Sequence, residues 1–165
     1  PVLYVCNVDE ASAKDGNNHS KRAIESLSGE NAKILTIAAQ AEADISELET
    51  PEERQEFLND LGLEEPGVNK LIRAAYELLN LKTFFTAGPK EARAWTFREG
   101  MTAPQTGGII HSDLERGFIR AEVMKYEDLK ELGSEQACKN AGKYYIEGKN
   151  YIVKDADILN IRFNV

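Results

Sequence analysis

The chain has 165 residues, of which 42% are hydrophobic, 8% aromatic and 29% charged, and its formal net charge is −8. This composition is typical of an ordinary globular protein and excludes the disordered, collagenous and disulfide-rich classes. No apolar run approaches the roughly 18 residues of a membrane span, and the first residues lack the pattern of a signal peptide, so we expect a cytoplasmic protein.

The charge is distributed unevenly along the chain. Residues 1–81 hold 7 basic and 16 acidic side chains, whereas residues 82–165 hold 13 and 12. A composition shift of this kind is typical of a domain boundary, which we place near Leu81. The acidic half would be repelled by a nucleic-acid backbone, whereas the second half could present a local basic face.

Short apolar runs and a helix alternate at the start of the chain. The run Val2–Cys6 predicts a strand that is buried on both faces, as in a parallel sheet. Asn17 or Asn18 can cap a helix that stops at Gly29, and the run Lys33–Ala38 predicts a second strand. This order indicates a βαβ crossover and therefore an α/β first half.

Two further helices are expected before the boundary. Thr50, Pro51 and Glu53 form a capping box with proline at the first helical position, and Gly62 ends that helix. The last helix of this half is indicated by apolar residues at steps of three and four: Val68, Leu71, Ile72, Ala75, Leu78 and Leu79.

The second half begins with the pattern of a hairpin. Thr83–Thr86 and Ala92–Phe97 are β-rich segments on either side of Gly88 and Pro89, so we expect two paired strands with a loop of several residues.

A helical or turn segment and a strand follow the hairpin. Thr102 with Pro104 opens the short segment, which we expect Gly107-Gly108 to interrupt. The run Phe118–Met124 alternates as a half-buried strand does. We expect its buried side to carry Ile119, Ala121 and Val123.

The end of the chain predicts short helices and then strands. Tyr126–Leu132 and Ser134–Ala141 are the expected helices, and Tyr144–Ile146, Tyr151–Val153 and Ile158–Phe163 are the expected strands. Together these elements indicate a mixed α+β unit of the β-grasp kind.

The tetrapeptide Asn7-Val8-Asp9-Glu10 directly follows the first strand. In an open parallel sheet the carboxyl ends of the strands carry ligand sites, so an amide and two carboxylates here are well placed to contact a base edge. The alternative is an Asx turn that closes the strand and leaves Asp9 and Glu10 solvated. The tetrapeptide alone does not separate these two interpretations.

Other residues that could take part in catalysis or binding have ordinary structural explanations. His111, Ser112 and Asp113 are adjacent in sequence and therefore do not converge as a catalytic triad does. Trp95 is expected in a core rather than as a stacking platform. Two interpretations apply to six cations of the second half: they form a face that contacts phosphates, or they belong to a solvated surface of mixed charge. These residues are Arg93, Arg98, Arg116, Arg120, Lys125 and Lys130.

The two cysteines lie far apart in sequence. Cys6 and Cys138 lack the spacing of a metal site or a redox motif, so we expect two reduced, buried thiols and no metal centre.

The chain resembles a known family along its whole length. Pro1–Glu10 and Ile37–Ala39 resemble the last nucleotide-binding segment and the base loop of the YchF family of Obg-like ATPases. The second half resembles the TGS domain of the same family in six segments: Thr86–Glu91, Ala94–Thr96, His111–Arg116, Gly117–Val123, Ala141–Tyr144 and Gly148–Tyr151.

The resemblance implies a specific fold and activity. Residues 1–81 would be the C-terminal βαβ portion of a P-loop GTPase-type domain with linking helices, and residues 82–165 a β-grasp, ubiquitin-like TGS domain. The intact protein would be a ribosome-associated nucleoside triphosphatase that uses ATP, or GTP, with Mg²⁺. The sequence contains no Gly-x-x-x-x-Gly-Lys-Ser/Thr loop and no Asp-x-x-Gly switch. We therefore expect a fragment that holds no catalytic or Mg²⁺-binding residues and is inactive alone.

The resemblance assigns base recognition to Asn7, Val8, Glu10, Ala38 and Ala39. Most GTPases have an aspartate, which accepts two hydrogen bonds from guanine, where this chain has Glu10. The longer side chain cannot keep that geometry, and a buried donor left unpaired costs roughly 1–3 kcal/mol, or about five- to a hundredfold in affinity. We therefore expect a preference for ATP over GTP. Val8 would offer an apolar surface to the purine face and Asn7 would pair with the adenine edge. The two alanines would offer backbone groups beside the base.

The TGS resemblance implies a ribosome or RNA partner for the second half. His111, Arg116 and Arg120 are the candidate contacts, and we expect neither a membrane nor a DNA partner. The alternative is a non-enzymatic β-grasp module that docks RNA or protein, with the first half as scaffold. ATP and GTP binding by the intact protein would separate the two hypotheses.

Overall fold

The computed structural model describes residues 1–30, 32–88 and 91–165, which form two compact units, Pro1–Leu79 and Asn80–Val165. Pro89 and Lys90, which belong to the expected hairpin loop, lie outside the described residues. Among the described residues, no helix is both long and apolar enough to cross a bilayer.

The first unit begins with the predicted βαβ crossover. Strand β1 (Leu3–Asn7) leads through a short 3-10 helix (Glu10–Ser12) to helix α1 (Asn18–Leu27), and strand β2 (Lys33–Ile37) follows. The two strands pair in parallel from Leu3 opposite Lys33 to Asn7 opposite Ile37. Asn17 caps α1, and its side chain accepts from the backbone N–H of His19 and Ser20, both at 3.0 Å.

Strand β1 is less buried than its sequence predicts. Val5 is 47% exposed, so the expected burial on both faces is wrong for this residue. The helices of this unit leave that part of the strand uncovered. The Cys6 side chain is half-buried and that of Cys138 is buried, and both thiols are free. The expectation of two buried thiols therefore holds only for Cys138.

Three helices complete the first unit. They are α2 (Ala39–Glu47), α3 (Pro51–Asp60) and α4 (Gly67–Leu78). The capping box of α3 is present: Glu53 N donates to Thr50 Oγ1 at 3.2 Å, and Thr50 N donates to the Glu53 carboxylate at 3.1 Å. Helix α2 was not expected from the sequence.

Helices α2 and α4 are joined by one carboxylate. Oε1 of Glu42 accepts from the N–H of Gly67 at 2.6 Å, and Oε2 accepts from that of Val68 at 3.1 Å. The first N–H groups of a helix lack intrahelical partners, so Glu42 supplies the cap that α4 has no local side chain to make. A Cβ atom on Gly67 would lie 2.9 Å from Glu42 Oε1, which explains the glycine at this position.

The second unit contains a mixed five-stranded sheet. Its strands are β3 (Leu81–Ala87), β4 (Ala92–Arg98), β5 (Phe118–Lys125), β6 (Tyr144–Glu147) and β7 (Asp157–Phe163). Their spatial order is β4-β3-β7-β5-β6, in which β3 and β7 are parallel and the other neighbours antiparallel.

Four helices accompany this sheet. Helices α5 (Ala103–Ile110) and α6 (Ser112–Arg116) precede β5, and α7 (Tyr126–Leu132) and α8 (Glu135–Asn140) follow it. One sheet face packs with α5 in the larger core, which includes Phe84, Phe97, Val123 and Leu159. The opposite face carries a smaller cluster of Met124, Ile158 and Cys138, the last from α8.

Helix α5 continues through the two glycines that we expected to interrupt it. A Cβ atom on Gly107 would lie 3.1 Å from Ile161 Cδ1 and 3.3 Å from Leu114 Cβ. The glycine therefore permits a close approach of α5 to α6 and β7. This packing outweighs the low helix propensity of glycine.

Two strand predictions in the second unit are wrong. Ile119 is 55% exposed while Phe118 is 5% exposed, because the register of β5 against β7 shifts between Phe118 and Arg120. The segment Tyr151–Val153 forms no strand. It makes a single bridge, Thr102 to Ile152, and its backbone groups pair with the start of α5 instead.

Candidate functional site

The residues expected to contact a base meet at the carboxyl ends of β1 and β2. Asn7 ends β1 opposite Ile37, and the N–H of Val8 donates to the Ile37 carbonyl at 3.0 Å. Ala38 and Ala39 follow Ile37 directly and begin α2. Because the two strands are parallel, residues that are about thirty positions apart in sequence lie side by side here.

The side chain of Asn7 bridges the two strand ends. Its Oδ1 accepts from the backbone N–H of Ala39 at 3.0 Å. Ala38, the residue before α2, makes no side-chain cap, so the Asn7 amide takes over that task. A backbone N–H can only donate, which fixes the orientation of the amide and leaves the Asn7 NH₂ group to donate elsewhere.

Val8 is placed differently from the sequence expectation. Its side chain is 9% exposed and packs with Ala13, Ala38 and Ala41. The apolar surface that we expected against a purine face is therefore part of the core of the first unit. Ala38 is also buried, at 4% exposure, whereas Ala39 is exposed.

The two carboxylates of the loop have separate roles. Oδ1 of Asp9 accepts from the N–H of Ser12 at 2.9 Å and caps the short 3-10 helix. This is the local turn chemistry of the alternative interpretation. Glu10 is the first residue of that helix and is exposed to solvent, so its carboxylate is accessible to a ligand.

A cleft opens beside Asn7, between the end of β1 and the start of α1. Its volume is about 380 Å³, and its lining is Cys6, Asn7, Val8, Asn17, His19 and Ser20. Asn17 and Ser20 were not predicted as site residues, although the capping pattern of α1 is the sequence signal that identifies the start of this helix. Within residues 1–30, 32–88 and 91–165, no group of three or more His, Cys, Asp or Glu side chains is arranged to hold a metal ion.

The basic residues expected to contact a partner occupy two places in the second unit. His111 lies between α5 and α6, and its Nδ1 accepts from the N–H of Asp113 at 3.2 Å. Arg116 donates to the Asp113 carboxylate at 2.8 Å, and its side chain is 71% exposed. Arg120 lies on β5 and belongs to a different cluster.

That second cluster surrounds Glu122, whose side chain is only 7% exposed. Its Oε1 accepts from Arg120 at 3.1 Å, and its Oε2 accepts from Tyr144 at 2.8 Å, Asn160 at 3.2 Å and Arg162 at 3.1 Å. Three adjacent strands, β5, β6 and β7, thus contribute to one network. Sequence reasoning missed it, since only Arg120 and Glu122 are close in the chain.

The network keeps Glu122 ionised although it is buried. The hydrogen bond from Arg162 lowers the pKa of Glu122 to about 2, against the effect of burial, and bonds from Tyr144 and Arg120 act in the same direction as Arg162. Burial and the bond to Glu122 raise the pKa of Tyr144 to about 12, so its phenol keeps its proton. The cluster therefore contains one anion and two cations at neutral pH.

A second buried carboxylate, that of Asp157, has a structural role. It accepts from Lys125 Nζ, from the Tyr151 hydroxyl at 2.7 Å and from the N–H of Lys154 at 2.9 Å. Burial, followed by the bond to Asp157, raises the pKa of Tyr151 to about 12. These partners all belong to the second unit. The cluster therefore ties the end of β5 to the segment before β7.

The comparison with protein families gives one match over the second unit. Residues 81–164 match a family model described as "YchF-GTPase_C: Protein of unknown function (DUF933)".

Named relatives match all or most of the chain. The Ribosome-binding ATPase YchF of Bacillus subtilis is 52% identical over 167 residues, which cover 100% of this chain and 45% of the relative. The protein of the same name from Haemophilus influenzae is 50% identical over 165 residues, with the same coverage. Obg-like ATPase 1 of Pongo abelii is 50% identical over 133 residues, 81% of this chain and 33% of the relative. The chain thus spans less than half the length of the relatives it matches.

Two solved structures have a similar fold. The YchF GTPase of Schizosaccharomyces pombe superposes with a TM-score of 0.89 at 32% identity, over 98% of this chain and 43% of that one. A GTP binding protein from Pyrococcus horikoshii OT3 gives 0.68 at 18% identity, which supports the fold alone. The mixed α/β architecture therefore matches part of a larger known structure.

Proposed function

Because the chain belongs to the YchF family, we propose that it carries the base-recognition loop and the ribosome-docking domain of a nucleoside triphosphatase that prefers ATP over GTP. The relatives' names support the class of activity, since several are called ribosome-binding ATPases. A role on the ribosome would place the protein in the cytoplasm.

The division into two compact units supports the two domains of this proposal. The parallel pair β1 and β2 with its crossover helix supports the C-terminal portion of a GTPase-type domain in the first unit. In the second unit, the first and last strands are parallel neighbours in the middle of the sheet, and α5 packs over one face. This arrangement supports a β-grasp fold of the TGS kind.

The observation that carries the proposal is the bond between Asn7 Oδ1 and the N–H of Ala39. It holds the ends of β1 and β2 together and leaves an NH₂ donor at the cleft. Such a donor can pair with N7 of a purine, an acceptor that adenine and guanine share. Asn7 therefore favours a purine without choosing between the two bases.

The choice between the bases is assigned to Glu10. An aspartate at the corresponding place can accept from both N1–H and the 2-amino group of guanine, whereas the longer Glu10 side chain lacks that bidentate geometry. Adenine has no donor at those positions, so its binding loses no hydrogen bond when glutamate takes the place of aspartate. Guanine binding loses roughly 1–3 kcal/mol for an unpaired donor. Phosphate and Mg²⁺ contacts would come from motifs that this sequence does not contain.

The proposal is tested by Glu10→Asp in the full-length protein. We expect the ratio of GTP affinity to ATP affinity to rise about fivefold or more, measured with fluorescent nucleotides under identical Mg²⁺. Glu47→Asp, an exposed position at the end of α2, is the matched control. Val8→Lys is unsuitable as a companion change, because it would place an ammonium group in the core. An unchanged ratio in Glu10→Asp would refute base selection by this loop.

A non-enzymatic docking module is the second candidate. The exposed Arg116, with its side chain 71% exposed, favours an electrostatic partner for the second unit. This candidate predicts that the full-length protein binds its partner but binds neither ATP nor GTP. The same nucleotide titrations would detect this absence of nucleotide binding.

A further inference from the structure

One face of the sheet in the second unit is covered only in part. Near β3, the face lies against α7 and α8 through the Met124, Ile158 and Cys138 cluster. Beyond that cluster, the register places four exposed side chains around Glu122 on the same face. We call this patch the open sheet face and define it by Arg120, Ile146, Asn160 and Arg162.

The two arginines of the open sheet face are held by the carboxylate beneath them. Arg120 contacts Oε1 of Glu122 through Nε at 3.4 Å and a terminal nitrogen at 3.1 Å. Arg162 contacts Oε2 through Nε at 3.1 Å and a terminal nitrogen at 3.0 Å. A guanidinium has five N–H donors, so each arginine binds Glu122 through one edge and keeps further donors for a ligand.

The open sheet face exposes cations and hides the anion. The side chains of Arg120 and Arg162 are 48% and 54% exposed, whereas that of Glu122 is 7% exposed. The arrangement differs around Arg116, where the Asp113 partner is itself 38% exposed and would repel an anionic ligand. Glu135 also acts on Arg162, and its side chain is 51% exposed, but it is paired with Lys139. On a chain with a net charge of −8, the open sheet face therefore keeps a local excess of positive charge.

The chemistry of the open sheet face fits phosphodiesters. Guanidinium forks match the geometry of phosphate oxygens, and fixing them in advance reduces the entropy lost on binding. Ile146, which is 67% exposed and lies opposite Glu122 in the register, adds an apolar surface beside the cations. Asn160 adds an amide that can pair with a base edge.

These features favour a single strand of RNA over a protein partner. Protein interfaces concentrate their binding energy in apolar anchors that fill pockets, whereas single strands bind on sheet surfaces that combine cations with flat contacts for bases. We propose that the open sheet face binds single-stranded RNA, with phosphates on Arg120 and Arg162 and a base over Ile146. This inference rests on the proposed function, since it identifies where and with what chemistry the second unit meets the ribosome.

The test uses the full-length protein and two probes. One probe is a fluorescent oligouridylate of about 12 nucleotides, followed by anisotropy, and the other is the purified ribosome, followed by cosedimentation. Both are measured at roughly 50 and 200 mM salt. The variants are Arg162→Gln, its charge-retaining partner Arg162→Lys, and Ile146→Ser, which lies outside the Glu122 network. Arg116→Gln tests the competing surface, and Arg22→Gln, which removes the same charge from an exposed position on α1, is the matched control.

We expect Arg162→Gln to weaken oligonucleotide and ribosome binding about five- to tenfold and to reduce the salt slope by about 1. Arg162→Lys should keep the salt slope but lose part of the affinity, and Ile146→Ser should weaken binding about two- to fivefold at both salt concentrations. Arg22→Gln should change binding by less than about twofold, and Arg116→Gln should weaken binding less than Arg162→Gln does. Circular dichroism and urea midpoints establish that each variant is folded, and Ile146→Ser keeps the test decisive if Arg162→Gln is unstable.

Three results would overturn the inference. If Arg116→Gln weakens binding while Arg162→Gln and Ile146→Ser do not, the second unit docks through another surface, and the proposed function stands. If the variants weaken ribosome binding but the oligonucleotide does not bind, the partner is a ribosomal protein. If the unmodified protein binds ATP but does not cosediment with ribosomes, the inference and the docking part of the proposed function both fail.

Discussion

The amide of Asn7 has one role that the structure shows and a second that we propose, because it carries both an acceptor and a donor. Its oxygen accepts from the N–H of Ala39 and so caps α2, and its NH₂ group is the donor for the purine contact that we propose. The sequence places Asn7 after a strand, but the capping role depends on the parallel register with β2 and is visible only in the structure.

Two substitutions at Asn7 should separate these tasks. We expect Asn7→Asp to retain the acceptor for Ala39, so that the free energy of unfolding changes by less than about 0.5 kcal/mol, and to reduce purine binding more than tenfold because the donor is lost. Asn7→Ala should lose both functions and destabilise the chain by about 1 kcal/mol. Urea denaturation and nucleotide titration of the full-length protein provide the measurements. Equal destabilisation by the two variants would show that the bond to Ala39 does not contribute to stability.

Glu122 should make the second unit sensitive to acid. Its pKa falls from an ordinary 4.5 to about 2, through the hydrogen bond from Arg162 and then, against burial, those from Tyr144 and Arg120. Since the unfolded chain binds this proton at higher pH than the folded one, the stabilisation is complete above about pH 4.5 and is lost as the pH falls through about 2.

The matching experiment compares Glu122→Gln with the unmodified chain. We expect the variant to have a lower urea midpoint at about pH 7 and the difference to shrink as the pH falls from about 4.5 to 2. Glu99→Gln, an exposed position in the same unit, should show no such convergence. A difference that stays constant over this pH range would exclude the ionised carboxylate as its source.

Single residues could be predicted from the sequence only where their role is local. Asn17 and Thr50 are recognisable as caps because their partners lie within three positions. The burial of Val8 was not predicted, because an apolar residue in a loop does not indicate whether it faces a ligand or a core. Glu122 could not be identified, since Arg162 and Tyr144 join it only when three strands align.

At the scale of elements, the two glycines of α5 have opposite environments. A Cβ atom on Gly107 would contact Leu114 Cβ at 3.3 Å and Ile161 Cδ1 at 3.1 Å, inside the core. The three atoms nearest to a Cβ atom on Gly108 all belong to the Glu115 side chain, whose carboxylate can move into solvent. These different neighbours decide whether an alanine substitution raises or lowers the free energy of unfolding.

We therefore expect opposite effects from Gly107→Ala and Gly108→Ala. Alanine in a helix gains up to about 1 kcal/mol over glycine, so Gly108→Ala should be neutral or stabilising. Gly107→Ala should be destabilising by about 1–2 kcal/mol, because overpacking outweighs the gain in propensity. The thermal unfolding temperatures of the two variants show directly which variant is the more stable. If both variants stabilise the chain, α5 can move away from α6 more easily than the packing indicates.

Elements with strong local signals were predicted correctly, whereas α2 and the segment Tyr151–Val153, whose partners lie far away in sequence, were not. Helices α1 and α3 have side-chain caps, and the hairpin of β3 and β4 has a β-rich pattern. Helix α2 begins without a side-chain cap of its own, which removed the usual signal. Tyr151–Val153 has the composition of a strand, but its backbone partners belong to the segment before α5.

At the scale of the whole molecule, the two units differ in how well their sheets are covered. Strand β5 lies between β6 and β7, and its Ala121 and Val123 are at most 1% exposed. Strand β1 has Val5 at 47% exposure. The charge step near Leu81 indicated two regions, but charge alone does not report this difference in burial.

The two units should therefore open at different free energies. We expect the amides of β1 and β2 to exchange with solvent at lower denaturant concentrations than those of β5 and β7, because local opening exposes less buried apolar surface in the first unit. Native-state hydrogen exchange followed by mass spectrometry resolves the two sets of peptides. Identical denaturant dependence in both sets would show that the chain opens as one cooperative unit.

The positions of the two thiols give the chain two independent chemical reporters. Cys6 is half-buried and lines the cleft beside Asn7, whereas Cys138 lies on α8 and is fully buried. An alkylating reagent can therefore reach Cys6 in the folded chain but reaches Cys138 only after the second unit opens. Protection of Cys6 by added nucleotide would measure occupancy of the cleft, while the labelling rate of Cys138 would time the opening of the other unit in the same sample.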